Sequence, residues 1–364
     1  TTGVNNVAIG KSVIGSNTTG SYNMAIGSDA LTSNVSGSNN LAIGNSALSA
    51  FVSVTGENVA LGSNAGENQT GNKSVCVGYR AGRSNAGFSA FLGTDAGQTA
   101  TGQQNVGIGT NAINKGTING QTAVGYNAGG ALTSGKVTAL GSNTLEDNTT
   151  GYNTAVGSDA GKNITTGTSN TLLGEDAYEY NNGSSNVMIG TRTGNTNSGS
   201  SSVMIGFQTG QSSAAAGGCV YIGAQAGKTA TVSNRLYIDN SSTATPLIYG
   251  EFDNNVITIN GSHEVTKALR HSAIETVTAT TDTLDDTNYT VLADGTSNAI
   301  TLTLPAVSGN TGLVYNIKKI DSTVNAITVD GNGAETIDGA TTAVISTQYD
   351  SITVQCNGSA WFII

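Results

Sequence analysis

The sequence predicts an all-β chain: a parallel β-solenoid (a β-roll) of about 16-residue coils, followed by a small C-terminal β-sandwich or jelly-roll domain. Three observations predict it. The phrase Asn6-Val7-Ala8-Ile9-Gly10 returns fourteen times, with small changes, before residue 224. Its closing glycine recurs at steps of 15 to 18 residues, from Gly10 and Gly27 to Gly206 and Gly223. The apolar residues beside it stand two apart, the period of a strand, and the three-and-four spacing of a helical face is absent.

Each position of the repeat can be followed as a column. The residue before the glycine is aliphatic in every copy, as in Ile9, Ile43, Ile108, Leu140 and Ile222. Two residues earlier stands a second apolar or β-branched column, as in Val7, Met24, Leu41, Val106 and Thr154. Side chains two apart share a strand face, so these two columns are expected to form the buried stripe. The column between them is small at first and large later: Ala8, Ala25, Ala42, Ala60, Ala123, Ala139 and Ala155, then Leu172, Met188, Met204 and Tyr221. On the opposite face, this column is expected to meet other protein.

A second half-coil follows the glycine, with Ala or Thr three places on (Ala30, Ala96, Thr144, Thr209) and then a polar turn that often carries Thr-Gly. One coil reads as two short strands and two turns. Asn stands four before the glycine in eight copies, among them Asn6, Asn23, Asn40, Asn58 and Asn170. Stacked Asn side chains predict a hydrogen-bond ladder along the array.

The repeat resembles the head repeats of trimeric autotransporter adhesins and the same repeat in bacteriophage tail fibres. That resemblance covers residues 1 to about 227. It implies a trimeric, left-handed parallel β-roll.

Composition narrows the function. Aromatic residues make up 5% of the chain and glycines number 50, which argues against an ordinary globular core. The net charge is −10 with only 14 Lys and Arg and no basic run, so nucleic acid is not an expected partner. No apolar run reaches membrane-span length, and no membrane insertion is expected. Thr1-Thr2-Gly3 reads as the turn before a repeat, which leads to the expectation of an upstream shaft or attachment domain. Cys76 and Cys219 sit nine coils apart, roughly 40 Å, so free buried thiols are expected there and at Cys356.

The array is assigned to residues 1–230. Residues 231–262 are assigned to a cap, because Arg235-Leu236-Tyr237-Ile238 imitates a repeat strand and Leu247-Ile248-Tyr249-Gly250 departs from it. Residues 263–275 lack Gly and Pro and space Val265, Leu269 and Ala273 four apart, predicting a short helical neck. Residues 276–364 hold seven short strand patterns separated by Asp-Gly, Ser-Gly and Asn-Gly turns, from Tyr289–Ala293 to Trp361–Ile364. Within them, Val314-Tyr315-Asn316-Ile317-Lys318-Lys319-Ile320 and Glu335-Thr336-Ile337-Asp338-Gly339 resemble C-terminal modules of phage tail fibres.

Candidate chemistry is sparse. His263 and His271 could meet on a trimer axis, but their spacing is no metal motif and they read as solvated. Asp29, Asp95, Asp159 and Asp176 recur two places after the glycine in only four copies, too few for a calcium roll. Glu175, Asp176 and Glu179 crowd like a glycosidase pair without a sugar platform. Trp361 and Phe362 could stack on a sugar, though a lone Trp in a small domain reads as core. No catalytic residue, metal or cofactor is expected.

The expected function is therefore structural: a homotrimeric, receptor-binding component of a phage tail fibre, extracellular on the virion. It would join an upstream tail or baseplate protein and attach to a host cell-surface glycan or protein through loops of the C-terminal domain. The threefold axis is expected to be lined by Ala8, Ala25, Ala42, Ala60, Ala123, Ala139, Ala155, Leu172, Met188, Met204 and Tyr221. The alternative is a trimeric adhesin on a bacterial cell surface.

Overall fold

A computed structural model describes residues 2–130, 133–213, 217–264, 266 and 273–364. The chain divides into two units, Thr1–His263 and Glu264–Ile364. All regular elements among the described residues are strands.

In the first unit every coil contributes one short strand. The first seven are β1 (Val7–Ile9), β2 (Met24–Ile26), β3 (Leu41–Ile43), β4 (Val59–Leu61), β5 (Val75–Val77), β6 (Ala90–Leu92) and β7 (Val106–Ile108). The next seven are β8 (Thr122–Val124), β9 (Val137–Leu140), β10 (Asn153–Val156), β11 (Thr171–Leu173), β12 (Val187–Ile189), β13 (Val203–Ile205) and β14 (Val220–Ile222). They pair in parallel and in strict register, each column residue on its own counterpart: Ala8 on Ala25, Ala25 on Ala42, Met188 on Met204. β15 (Arg235–Ile238) adds one more parallel rung, so the imitation strand belongs to the array. β16 (Ile248–Glu251) and β17 (Val256–Ile259) then turn back antiparallel and complete a 17-stranded sheet.

The faces of these strands are the reverse of those expected. Ala25, Ala42, Ala60 and Ala123 are wholly buried within the single chain, while Ile9 is 57% and Leu140 47% exposed. The Ala column is the interior of the coil, and the two aliphatic columns point outward. Ala8, in the first coil, is exposed. The proposed axis residues thus have no free surface to offer another chain, apart from that first-coil alanine.

The second half of each coil is not a strand. It is a run of turns in which the residues two and four after the glycine both take positive φ, as in Asp29 (58°) and Leu31 (53°) or Asn143 (52°) and Leu145 (52°). Its amides still bond between coils, Leu31 N–H to the Ala47 carbonyl and Asp29 N–H to that of Lys11. The repeat glycine itself cannot be replaced: at φ 127° a Cβ on Gly27 would lie 2.5 Å from the Gly44 carbonyl oxygen of the next coil.

Volume is exchanged across the interior of many coils, though not of all: Ala60, Ala123 and Ala155 stand with Gly66, Gly129 and Gly161, and Leu172 with Tyr178. The position four after the glycine holds Leu31, Leu48 or Leu145 where the inner strand residue is Ala25, Ala42 or Ala139. It holds Gly97, Gly194, Gly210 or Gly227 where that residue is Phe91, Met188, Met204 or Tyr221. A Cβ on Gly227 would stand 2.7 Å from the Tyr221 ring, and one on Gly194 2.9 Å from the Met188 sulfur. The growth of the column towards Tyr221 therefore fills coil interiors and does not fill a gap between chains. Towards the cap the inner column becomes aromatic, Tyr221 edge-on to Tyr237 at 5.1 Å and Tyr237 edge-on to Tyr249 at 5.4 Å.

The second unit contains β18 (Ile274–Val277), β19 (Thr281–Thr283), β20 (Thr290–Ala293), β21 (Ile300–Thr303), β22 (Val314–Lys319), β23 (Ile327–Asp330), β24 (Thr342–Ile345), β25 (Ser351–Cys356) and β26 (Trp361–Ile363). The seven expected strand patterns are all strands, and β18 and β19 are additional. Their pairing differs from that of an antiparallel sandwich or jelly roll. β18, β20 and β22 pair in parallel in one sheet, and β19, β21 and β23 in another, so the chain alternates between sheets as in a short coil. The antiparallel pairs are β23 with β24, β22 with β25 and β25 with β26. Inward side chains of both sheets, among them Val291, Leu302, Ile317, Val329 and Trp361, form one core. The helical neck expected at 263–275 falls largely outside the described residues, and its last two, Ile274 and Glu275, belong to β18.

Candidate binding surfaces

Two outward columns cross the sheet of the first unit from β1 to β17; that of Ile9 is aliphatic throughout, while that of Val7 holds Thr122, Thr138, Thr154 and Thr171 in its middle and Gly250 near its end. The columns run from Val7 and Ile9 through Val106 and Ile108 to Leu236 and Ile238, and end on Ile257 and Ile259. The registers make both columns continuous. Neither contains a charged residue, and Ile43 at 37% and Ile257 at 70% show how much apolar surface is left to solvent. Monomeric proteins rarely expose a contiguous apolar strip of this extent.

The edges of the coils are polar, and hydrogen bonds run along them from coil to coil, although the buried side chain of Asn148 has no partner among the described residues for either polar atom. The expected Asn ladder is present, as side-chain carbonyls accepting backbone N–H groups of the next coil: Asn6 from Asn23 at 2.9 Å, Asn23 from Asn40 at 3.0 Å, Asn153 from Asn170 at 2.9 Å. It is interrupted where Val137 takes the Asn position. Where Thr replaces the second-half alanine, its hydroxyl donates to the next coil's glycine carbonyl, Thr144 to Gly157 and Thr209 to Gly223, each at 2.6 Å.

The residues singled out for chemistry are accounted for by the same logic. Asp29, Asp95, Asp159 and Asp176 all have φ of 54° to 58°, a conformation Asp and Asn tolerate better than other side chains. Three of them bond along the stack, Asp95 to Arg80 at 2.9 Å, Asp159 to Asn143 at 3.0 Å and Asp176 to Arg192 at 3.2 Å, and Asp29 accepts from the adjacent Ser28 hydroxyl at 3.1 Å. Glu179 accepts from Asn195 at 3.0 Å, so two of the three members of the acidic cluster hold structural partners. Burial penalises the Asp159 carboxylate, but hydrogen bonds from Asn143, Lys162 and Ser158 outweigh it and lower its pKa. His263 is exposed, and His271 lies outside the described residues. Among the described residues, no group of His, Cys, Asp and Glu is arranged to hold a metal ion.

Trp361 is fully buried, its ring 5.6 Å from that of Tyr315, whereas Phe362 is 39% exposed. The three cysteines are free and buried, and burial pushes the Cys76 thiol up to about 12. None of the three is expected to react with an aromatic disulfide reagent at about pH 8 until the chain is unfolded. A fast-reacting thiol in the folded protein would contradict this burial.

The second unit carries a feature that the sequence reading did not single out. Lys319 continues the inward alternation of Tyr315 and Ile317 and is 0% exposed. Its ammonium lies 2.6 Å from Asp321 Oδ1 and 2.9 Å from the Asn325 carbonyl. The Asp321 carboxyl would be raised by burial, but bonds from Lys319, Thr323 and the Gly295 amide hold it well below the usual carboxylate range. The signal was present in the sequence: a lysine at an inward position of an alternating strand requires a buried partner.

The chain was compared with protein-family models, with curated proteins and with solved structures, and none of these matches it.

Proposed function

We propose that the chain is a structural, receptor-binding component of a phage tail fibre, working as a homotrimer on the outside of the virion. The observation that carries this reading is the uncharged outer strip, one column of it aliphatic from Ile9 to Ile259 and the other apolar or threonine, which a lone chain leaves in water. Association of identical chains through the same strip buries it with closed symmetry. The number three comes from the resemblance to trimeric β-roll heads. A stiff ladder of about 65 Å, at one strand spacing per coil, suits a spacer. The two-sheet second unit, read as a compact sandwich-like module, suits contact with a host surface glycan or protein, with an upstream tail or baseplate protein as the attachment. Catalysis has no place in this reading.

Two paired variants separate the strip from the coil interior. Ile108→Asp with Leu140→Asp is expected to convert a trimeric native mass to a monomeric one while β circular dichroism persists, because both side chains are surface residues of one chain. Ala123→Glu is expected instead to disrupt the coil, since it places an unpaired carboxylate at a position with no exposure. A monomeric mass for the unaltered chain, or an unchanged trimer in the first variant, would remove the strip as the interface. Function itself is tested by binding of the purified full chain to a panel of intact bacterial cells. Absence of binding to every member of a panel that includes the virion's own host would refute attachment.

A further inference from the structure

Three loops of the second unit meet at one end of its sheets. The registers set Ala293 beside Lys319, Ser351 beside Lys318 and Ile300 beside Ile327, so links 294–299, 320–326 and 346–350 are neighbours. The Lys319–Asp321 pair ties them together. Asp321 Oδ2 accepts the Gly295 amide at 2.7 Å, Asn325 Nδ2 donates to the Gly295 carbonyl at 2.8 Å, and Gln348 Nε2 donates to the Ile320 carbonyl at 3.2 Å. Tyr349 N–H donates to the Lys319 carbonyl at 2.8 Å. Apolar residues of similar volume often stabilise a core as well as a buried ion pair does, so its use here points to fixed loop geometry.

On this frame stand two apolar groups that the fold does not use. Val324 is 96% exposed. Tyr349 is 63% exposed with φ 67°, at the third position of a turn closed by Asp350 N–H to the Thr347 carbonyl, where Gly or Asn is the ordinary choice. A ring held in that conformation carries a steric penalty and gains little packing within the chain in return; an outlier of this kind is a pointer to function. The exposed aromatics of the first unit at positive φ, Tyr22, Phe88 and Tyr152, all stand two residues before the strip's valine, methionine, alanine or threonine column, where the repeat itself sets positive φ, as at Asn39, Gln104 and Ser169. Tyr349 belongs to no such strip. The Lys318 ammonium, 5.6 Å from the Tyr349 ring centroid, helps fix its orientation.

We propose that Val324 and Tyr349 are contact residues for a protein on the host surface, entering an apolar recess of that partner. This rests on the reading of the chain as a receptor-binding component. A projecting valine suits a protein cavity better than a sugar, because its methyl groups offer neither a flat stacking face nor a hydrogen bond. Around both residues the loops carry Thr296, Ser297, Asn298, Thr323 and Gln348, with Lys318 and Asp350 beside Tyr349, a polar rim of the kind that surrounds buried anchors.

The test uses the full chain on intact cells of the virion's host, untreated, shaved with protease, or oxidised with periodate. Val324→Ser and Tyr349→Gly are each expected to weaken binding about tenfold or more. Tyr349→Gly should also raise the melting temperature, since it relieves the positive-φ tyrosine, so loss of binding there cannot be loss of fold. Protease should abolish binding and periodate should leave it. Unchanged binding by the double variant, or loss with periodate but not protease, overturns the assignment. Failure of the unaltered chain to bind untreated host cells refutes the receptor-binding reading itself, and this assignment falls with it.

Discussion

Exchanging the two core residues of one coil, Phe91→Ala together with Gly97→Leu, is expected to cost clearly less stability than the two changes made separately would sum to. Phe91 is fully buried and reaches over the neighbouring coil, where a Cβ on Gly107 would lie 2.9 Å from its ring. Its truncation leaves a cavity costing about 3–5 kcal/mol. Gly97→Leu alone meets the same ring in a closed coil and costs about 2 kcal/mol or more through overpacking and the positive φ. Together they reproduce the pairing of Ala25 with Leu31, whose leucine sits at φ 53° against 60° for Gly97. A double-mutant cycle by denaturant unfolding should give a favourable coupling of about 2–3 kcal/mol. Strictly additive losses would mean that the inner strand column and the turn column do not share one volume.

Lys319→Ala should cost about 3–5 kcal/mol, the usual result of leaving one member of a buried pair uncompensated. Both side chains are shielded, 0% and 2% exposed, so solvent cannot replace the lost partner. The pH dependence follows from the lowered Asp321 pKa. Stability from this carboxylate is fully present above its ordinary value of 3.8 and is lost as the pH falls below that value towards the depressed folded one. Thermal transitions of the unaltered chain should therefore drop more steeply below about pH 4 than those of Asp321→Asn, which has no such proton to take up. Parallel pH profiles for the two proteins would show that Asp321 contributes no linkage.

Much of the fold is legible in the residues. The glycine period defines the coils, because positive φ and close approach of Gly27 to the Gly44 carbonyl leave no room for a side chain. The two-residue spacing of Val7 and Ile9 identifies each strand, and the Asn column announces the ladder later seen between Asn6, Asn23 and Asn40. The turn character of Asp29 and Asp176 follows from their place after the glycine.

Which face of the strand lies inside was settled only by the tertiary structure. Strand alternation separates two faces without ranking them, and here both are apolar; the larger aliphatic residues suggested a core that the coil has no room to enclose. The interior of a 16-residue coil is narrow, commonly holding alanine with one leucine or one large residue opposite glycine, so Ala25 goes in and Ile26 is left to the surface. Pairing direction was hidden for a similar reason. Asp294-Gly295 reads as a hairpin turn, yet the Gly295 amide is held by Asp321 and the link crosses to the other sheet, making β20 and β22 parallel. The sequence by itself determined the repeat, the strands and their register; the volume inside the coil and the long-range hydrogen bonds of the loops, neither of which is local in sequence, decided what faces inward and what is left for a partner.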